Sequence, residues 1–189
     1  MGDSLLRLDV GCGGRGTAWD GFIGIDTWPT PAKPRKPDEE YMQLDFVRGT
    51  LPWAPGTADE IIGLHVIEHM LRPDGLILMK RVYELLKPGA GVTISCPDLH
   101  KLCVKYLRED EQFWARRYGR TGKEIWPGDT LADRLNEAMH QQGHLWSYDL
   151  NSLTCLAVHA GWKNVRPMPL TSRYSVRKDH ETGIVCVKE

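Results

Sequence analysis

The feature that most restricts how this chain can fold is an alternating run, Leu5 to Val10, that ends in Gly11-Cys12-Gly13-Gly14. The run reads as a buried strand, and the glycines as a turn where a ligand can approach the backbone closely. Only eight residues, Gly14 to Gly21, separate Gly13 from a second apolar run, Phe22-Ile23-Gly24-Ile25-Asp26. That gap is too short for a full crossover helix.

Further along, Tyr41 to Leu44 reads as a third strand capped by Asp45, and Glu60 to Leu64 as a fourth. Leu76, Met79, Val82, Leu85 and Leu86 recur at helical period until Lys87-Pro88-Gly89 stops the helix. The β-branched run Val92 to Cys96 is a fifth strand. From Asp98 the pattern changes to charged, helix-like pieces carrying Phe113, Trp114, Tyr118 and Trp126, and residues 98–146 read as a helical insertion lying over the sheet. Asp149 caps a helix that turns Leu150, Leu153, Leu156 and Ala157 inward and ends at Gly161. Val165 and Ile184 to Val187 supply two short final strands. Strands alternating with helices predict an α/β fold: a doubly wound, mostly parallel sheet of the seven-stranded, Rossmann-like type, with residues 1–189 in one domain.

Composition narrows the partners. A net charge of −1 argues against holding nucleic acid by counterion release. Five cysteines without a C-x-x-C pair argue against a disulfide framework or a structural zinc site. There is no leader-like start and no apolar run long enough to span a membrane, so the expected location is the cytoplasm.

In open sheets of this kind, ligands bind beyond the carboxyl ends of the strands. The residues there are Gly11 and Gly13, then Asp26, Asp45, His65 and the pair Pro97-Asp98. Gly11, Gly13 and Gly16 also satisfy the dinucleotide pattern G-x-G-x-x-G, but the missing crossover helix removes the helix N-terminus that a pyrophosphate needs. Leu8-Asp9-Val10-Gly11-Cys12-Gly13 resembles motif I of class I S-adenosylmethionine-dependent methyltransferases. Gly24-Ile25-Asp26, Leu44-Asp45-Phe46, His65-Val66-Ile67-Glu68-His69 and Leu86-Lys87-Pro88-Gly89 resemble later stations of the same family, in order. The likeness is to a type 11-like, truncated subgroup with a short loop after motif I.

The resemblance implies a methyltransferase that uses S-adenosylmethionine and releases S-adenosylhomocysteine. It implies a cofactor site drawn from Asp9, Gly11, Cys12, Gly13, Asp26, Thr27, Leu44, Asp45, Phe46 and His65. Asp26 is placed for the ribose hydroxyls, and Arg15 for the methionine carboxylate or for solvent. Asp9 satisfies either loop donors or the ligand's amino group, and Cys12 reads sooner as a small packing residue than as a nucleophile. Glu68 and His69 either join the site or cap the following segment. His140 and His144 have helical metal-ligand spacing without a third ligand nearby, so no metal is expected. His144 is the candidate general base, with a structural hydrogen-bonding role as its alternative. The acceptor is unassigned, with a small molecule or glycan among the options. A non-catalytic module that binds the same cofactor is the alternative to an enzyme.

Overall fold

The structure is a computed structural model describing residues 5–13, 19–29, 40–118, 130–140, 143–169, 171–175 and 177–189. Seven strands, β1 (Arg7–Val10), β2 (Ile23–Asp26), β3 (Tyr41–Gln43), β4 (Ala58–Leu64), β5 (Leu86–Pro97), β6 (Asn164–Pro167) and β7 (Glu181–Val187), form one sheet. Their order is β3-β2-β1-β4-β5-β7-β6. β1 to β5 are parallel, and β7 enters antiparallel between β5 and β6. The chain winds outward from β1 in one direction to β3 and then resumes on the other side at β4. The loops after β1 and β4 therefore part at the switch point and leave a crevice.

Two helices set the core. α1 (Arg72–Leu85) starts with Pro73 in its first turn and buries Leu78, Met79, Val82 and Leu85 at helical spacing. The sequence pattern placed Leu86 on this helix, but its backbone is extended and it pairs with Ala58 as the first residue of β5. α5 (Leu150–His159) opens with a reciprocal capping box. Asp149 Oδ1 accepts the Ser152 N–H at 2.7 Å, and Ser152 Oγ accepts the Asp149 N–H at 2.9 Å. Gly161, at φ +102°, turns the chain away after it.

Strand alternation divides the sheet into two unlike faces. Leu8, Val10, Ile25, Ile61, Val92, Ile94 and Ile184 are buried in the core beneath α1 and α5. Trp162, fully buried there, donates its indole N–H to the Met79 carbonyl. The opposite face offers Arg7, Glu60, Ile62, Thr93, Ser95 and Val185, and among the described residues loops cover it. Trp19, Phe22, Met168 and Tyr174 pack there around Ile62.

Between β5 and α5 lie α2 (Leu99–Leu107), α3 (Glu111–Tyr118) and α4 (Leu131–His140). Asp98 caps α2 by accepting the Lys101 N–H. These helices gather a small core of their own from Leu102, Phe113, Trp114 and Ala138. Trp126 and the side chain of Tyr118 lie outside the described residues. Among the described residues, no helix is long and apolar enough to cross a membrane.

Candidate functional site

A cleft of about 390 Å³ opens at the switch point, between the loops that follow β1, β2, β3 and β4. Gly11 and Gly13 turn through it with φ of +76° and +82°, conformations that side chains disfavour. For Gly11 the requirement is also steric, since a Cβ there would lie 2.2 Å from Val66 Cγ2. At Gly13, among the described residues, nothing lies within 4 Å of that position, and the cleft runs beside its backbone.

Asp26 ties the first two loops together. Its Oδ2 accepts the Gly13 N–H at 2.7 Å, and its Oδ1 accepts the Trp28 N–H at 3.2 Å. Oδ1 also accepts the Thr27 hydroxyl at 3.4 Å, a long contact that a ligand hydroxyl could replace. Tyr41 braces the same loop by donating its hydroxyl to the Trp28 carbonyl at 2.5 Å. Burial, with Asp26 and Cys12 nearby, pushes the Tyr41 phenol up to about 12, so it stays a neutral donor. Asp45 is occupied in the next loop, where Oδ1 accepts the N–H groups of Val47 and Arg48.

The floor toward β4 carries a buried charged row. His65 has φ +57°, a left-handed conformation in a residue other than glycine. Its Nδ1 lies 3.2 Å from Glu68 Oε1, and its Nε2 lies 3.2 Å from Glu181 Oε1. Both carboxylates are almost wholly buried. Burial alone would depress the imidazole, but the two carboxylates outweigh it and raise His65 above its ordinary value. Burial would likewise raise Glu181, yet His65, the Arg177 N–H and Ser95 hold it down at about 2. The imidazole thus stands between two buried carboxyl groups that favour its charged form. Ser175 Oγ donates to the second oxygen of Glu181 at 3.1 Å.

Of the residues expected in the cofactor site, Gly11, Gly13, Asp26, Thr27, Leu44, Asp45, Phe46 and His65 line the cleft. Asp9 is buried within β1, and neither it nor Cys12 is among the lining residues. Arg15 and Gly16 lie outside the described residues. Among the described residues, none of 98–146 lines the cleft, but His144 stands edge-on to His69, which does. Trp28, Arg48, Val66 and Met70 also line it and were not singled out from sequence. An exposed tryptophan two residues after the strand-end acid was the available signal for Trp28. Glu181 carried none, because it reaches His65 across 116 residues.

No protein-family model matches the chain, and no curated protein matches it. Solved structures do. A SAM-dependent methyltransferase from Archaeoglobus fulgidus superimposes with a TM-score of 0.60 at 13% identity, covering 98% of this chain and 87% of that one. A SAM-dependent methyltransferase from Methanosarcina mazei gives 0.60 at 14%, covering 100% and 94%. Human N-acetylserotonin methyltransferase, in complex with SAM, gives 0.55 at 16% and covers 97% of this chain. The chain spans about half of that human enzyme, 47% of its length. The chain has the class I S-adenosylmethionine-dependent methyltransferase fold.

Proposed function

We propose that the chain binds S-adenosylmethionine in the switch-point cleft and transfers its methyl group to an acceptor. The observation that carries this reading is the coupling of Asp26 to the Gly13 N–H at the end of β1, where a turn with glycine at positions 11 and 13 meets a strand-end carboxylate. A nucleoside needs that pairing: close backbone approach on one side and two acceptors for ribose hydroxyls on the other. Leu44 and Phe46 supply apolar surface next to it for the base. The absence of room for a crossover helix after Gly13 favours a phosphate-free ligand over a dinucleotide.

When bound, S-adenosylmethionine supplies an electrophilic methyl on a sulfonium. The chain's own part is alignment and exclusion of water. Gly11 and Gly13 shape the turn against the ligand, Asp26 holds the ribose, and His65 lies at the floor of the same cleft. The 98–146 insertion is assigned the acceptor side, through the contact of His144 with His69.

Calorimetry tests the reading. S-adenosylmethionine and S-adenosylhomocysteine are expected to bind and NAD is not; binding of NAD alone would overturn it. Asp26→Ala is expected to weaken S-adenosylhomocysteine by about 1.5–3 kcal/mol, the scale of hydrogen bonds to a charged group, with the melting transition kept. An unchanged affinity in the folded variant removes Asp26 from the site.

A further inference from the structure

We propose that Glu68, His69 and His144 form a divalent-metal site at the edge of the cleft, of the two-histidine, one-carboxylate kind that suits zinc and its first-row neighbours. One ligand atom from each residue lies within 4.8 Å of the other two. Around a tetrahedral ion with bonds of about 2.0–2.1 Å, ligand atoms sit about 3.3 Å apart, so small side-chain rotations close the set. The two imidazoles already stand edge-on with centroids 4.8 Å apart.

The backbone holds the three residues together, and one unmet need points to a cation. The Glu68 carbonyl accepts the N–H of Leu145 at 2.7 Å and of Trp146 at 3.1 Å. That clamp fixes the segment bearing His144 against the turn bearing Glu68 and His69, so the three ligands come from two pieces of chain held in register. Glu68 is 2% exposed, and while its Oε1 faces His65, its Oε2 is buried without a hydrogen-bond partner among the described residues. A buried carboxylate oxygen in that state is costly unless a cation or a donor meets it.

The donor set selects the ion. Two imidazole nitrogens and one carboxylate favour zinc-like d-block ions over calcium or magnesium, which take mainly oxygen. His65, held by Glu181 on its other nitrogen, orients the Glu68 carboxylate, the outer-shell arrangement common behind metal ligands. His69 lines the cleft, so a coordination position left open by three protein ligands is reached from it. An acceptor hydroxyl coordinated there would lose its proton to solvent more readily. His144 then acts as a ligand instead of a free base. Metal binding stands by itself; this use of it rests on the proposed methyl transfer.

The test uses the full chain, stripped with a chelator and free of any adenosyl ligand. One cobalt(II) ion per chain is expected to bind with the visible absorption of a low-coordinate site, and zinc to displace it. Loss of an outer-shell partner weakens metal sites about 10–100-fold, and loss of a ligand should cost at least as much. Glu68→Gln, His69→Ala and His144→Ala should each reach that loss, whereas His140→Ala, outside the cluster, should leave binding intact. No stoichiometric cobalt or zinc binding by the wild type overturns the site, as does equal loss in His140→Ala. Should Glu68→Gln fail to fold, His69→Ala, whose side chain is half-buried, and zinc-dependent thermal stabilisation of the wild type still decide. S-adenosylhomocysteine binding is measured separately. Its presence without metal binding sinks this site alone, and the reverse sinks the cofactor reading alone.

Discussion

The two faces of the sheet are held by different physics. Under α1 and α5 the strands present Leu8, Ile61, Val92 and Ile184, and the covering helices answer with Leu78, Met79, Val82 and Leu153. On the other face the strands present Arg7, Glu60 and Ser95, and the cover is loop. Arg7 lies 3.6 Å from Glu60, Tyr174 donates to Glu60 at 2.5 Å, and Glu181 gathers His65, Ser175 and the Arg177 N–H. Loops cannot offer a continuous apolar stripe as a helix does. Where, among the described residues, loops and not helices cover the sheet, directional polar contacts take over part of the work, and they are worth less apiece than buried area.

Three perturbations test that division, in falling order of effect. Trp162→Ala removes the largest anchor of the helical face, including its edge-on contact with Tyr83 at 5.0 Å. It should cost about 3–5 kcal/mol, read from urea unfolding.

Acid comes next. Glu181 is held at about 2 against an ordinary 4.5, so its contribution is fully present above 4.5 and is lost as the pH falls from there toward 2. A difference of that size corresponds to on the order of 3 kcal/mol. The urea midpoint should drop over that window in the wild type and drop less in Glu181→Gln. Parallel curves for the two proteins would mean that the carboxylate does not hold this face.

The smallest change is Tyr174→Phe, which keeps the ring against Trp19 and removes the hydroxyl from Glu60. About 0.5–1.5 kcal/mol is expected. A loss equal to that of Trp162→Ala would erase the contrast between the faces.

The same contrast governs what could be read from sequence. The helical face announces itself through period: Leu76, Met79, Val82 and Leu85 marked α1, and the Asp149 cap and Gly161 stop bracketed α5. Strands β1, β2 and β4 were legible because apolar runs end on glycine, aspartate and histidine. Those endings also located the cleft, since the residue after each parallel strand lies at one edge of the sheet. What stayed hidden depends on remote pairing. Leu86 fits a helix by spacing and joins β5 only because Ala58 is opposite. Glu181 looks like an ordinary strand-end acid until β7 carries it to His65. His144 could be paired by spacing with His140, whereas its neighbours in space are Glu68 and His69.

The position of β7 bears on how the chain is made. Among the described residues β6 pairs with β7 alone, and one edge of β5 has no other partner, so both wait with open edges until residues 181–187 have been synthesised. Unpaired edges are templates for association with other chains. The half of the sheet beyond β5 is thus completed last, when residues 181–187 close the 91–97 edge and take up β6 together.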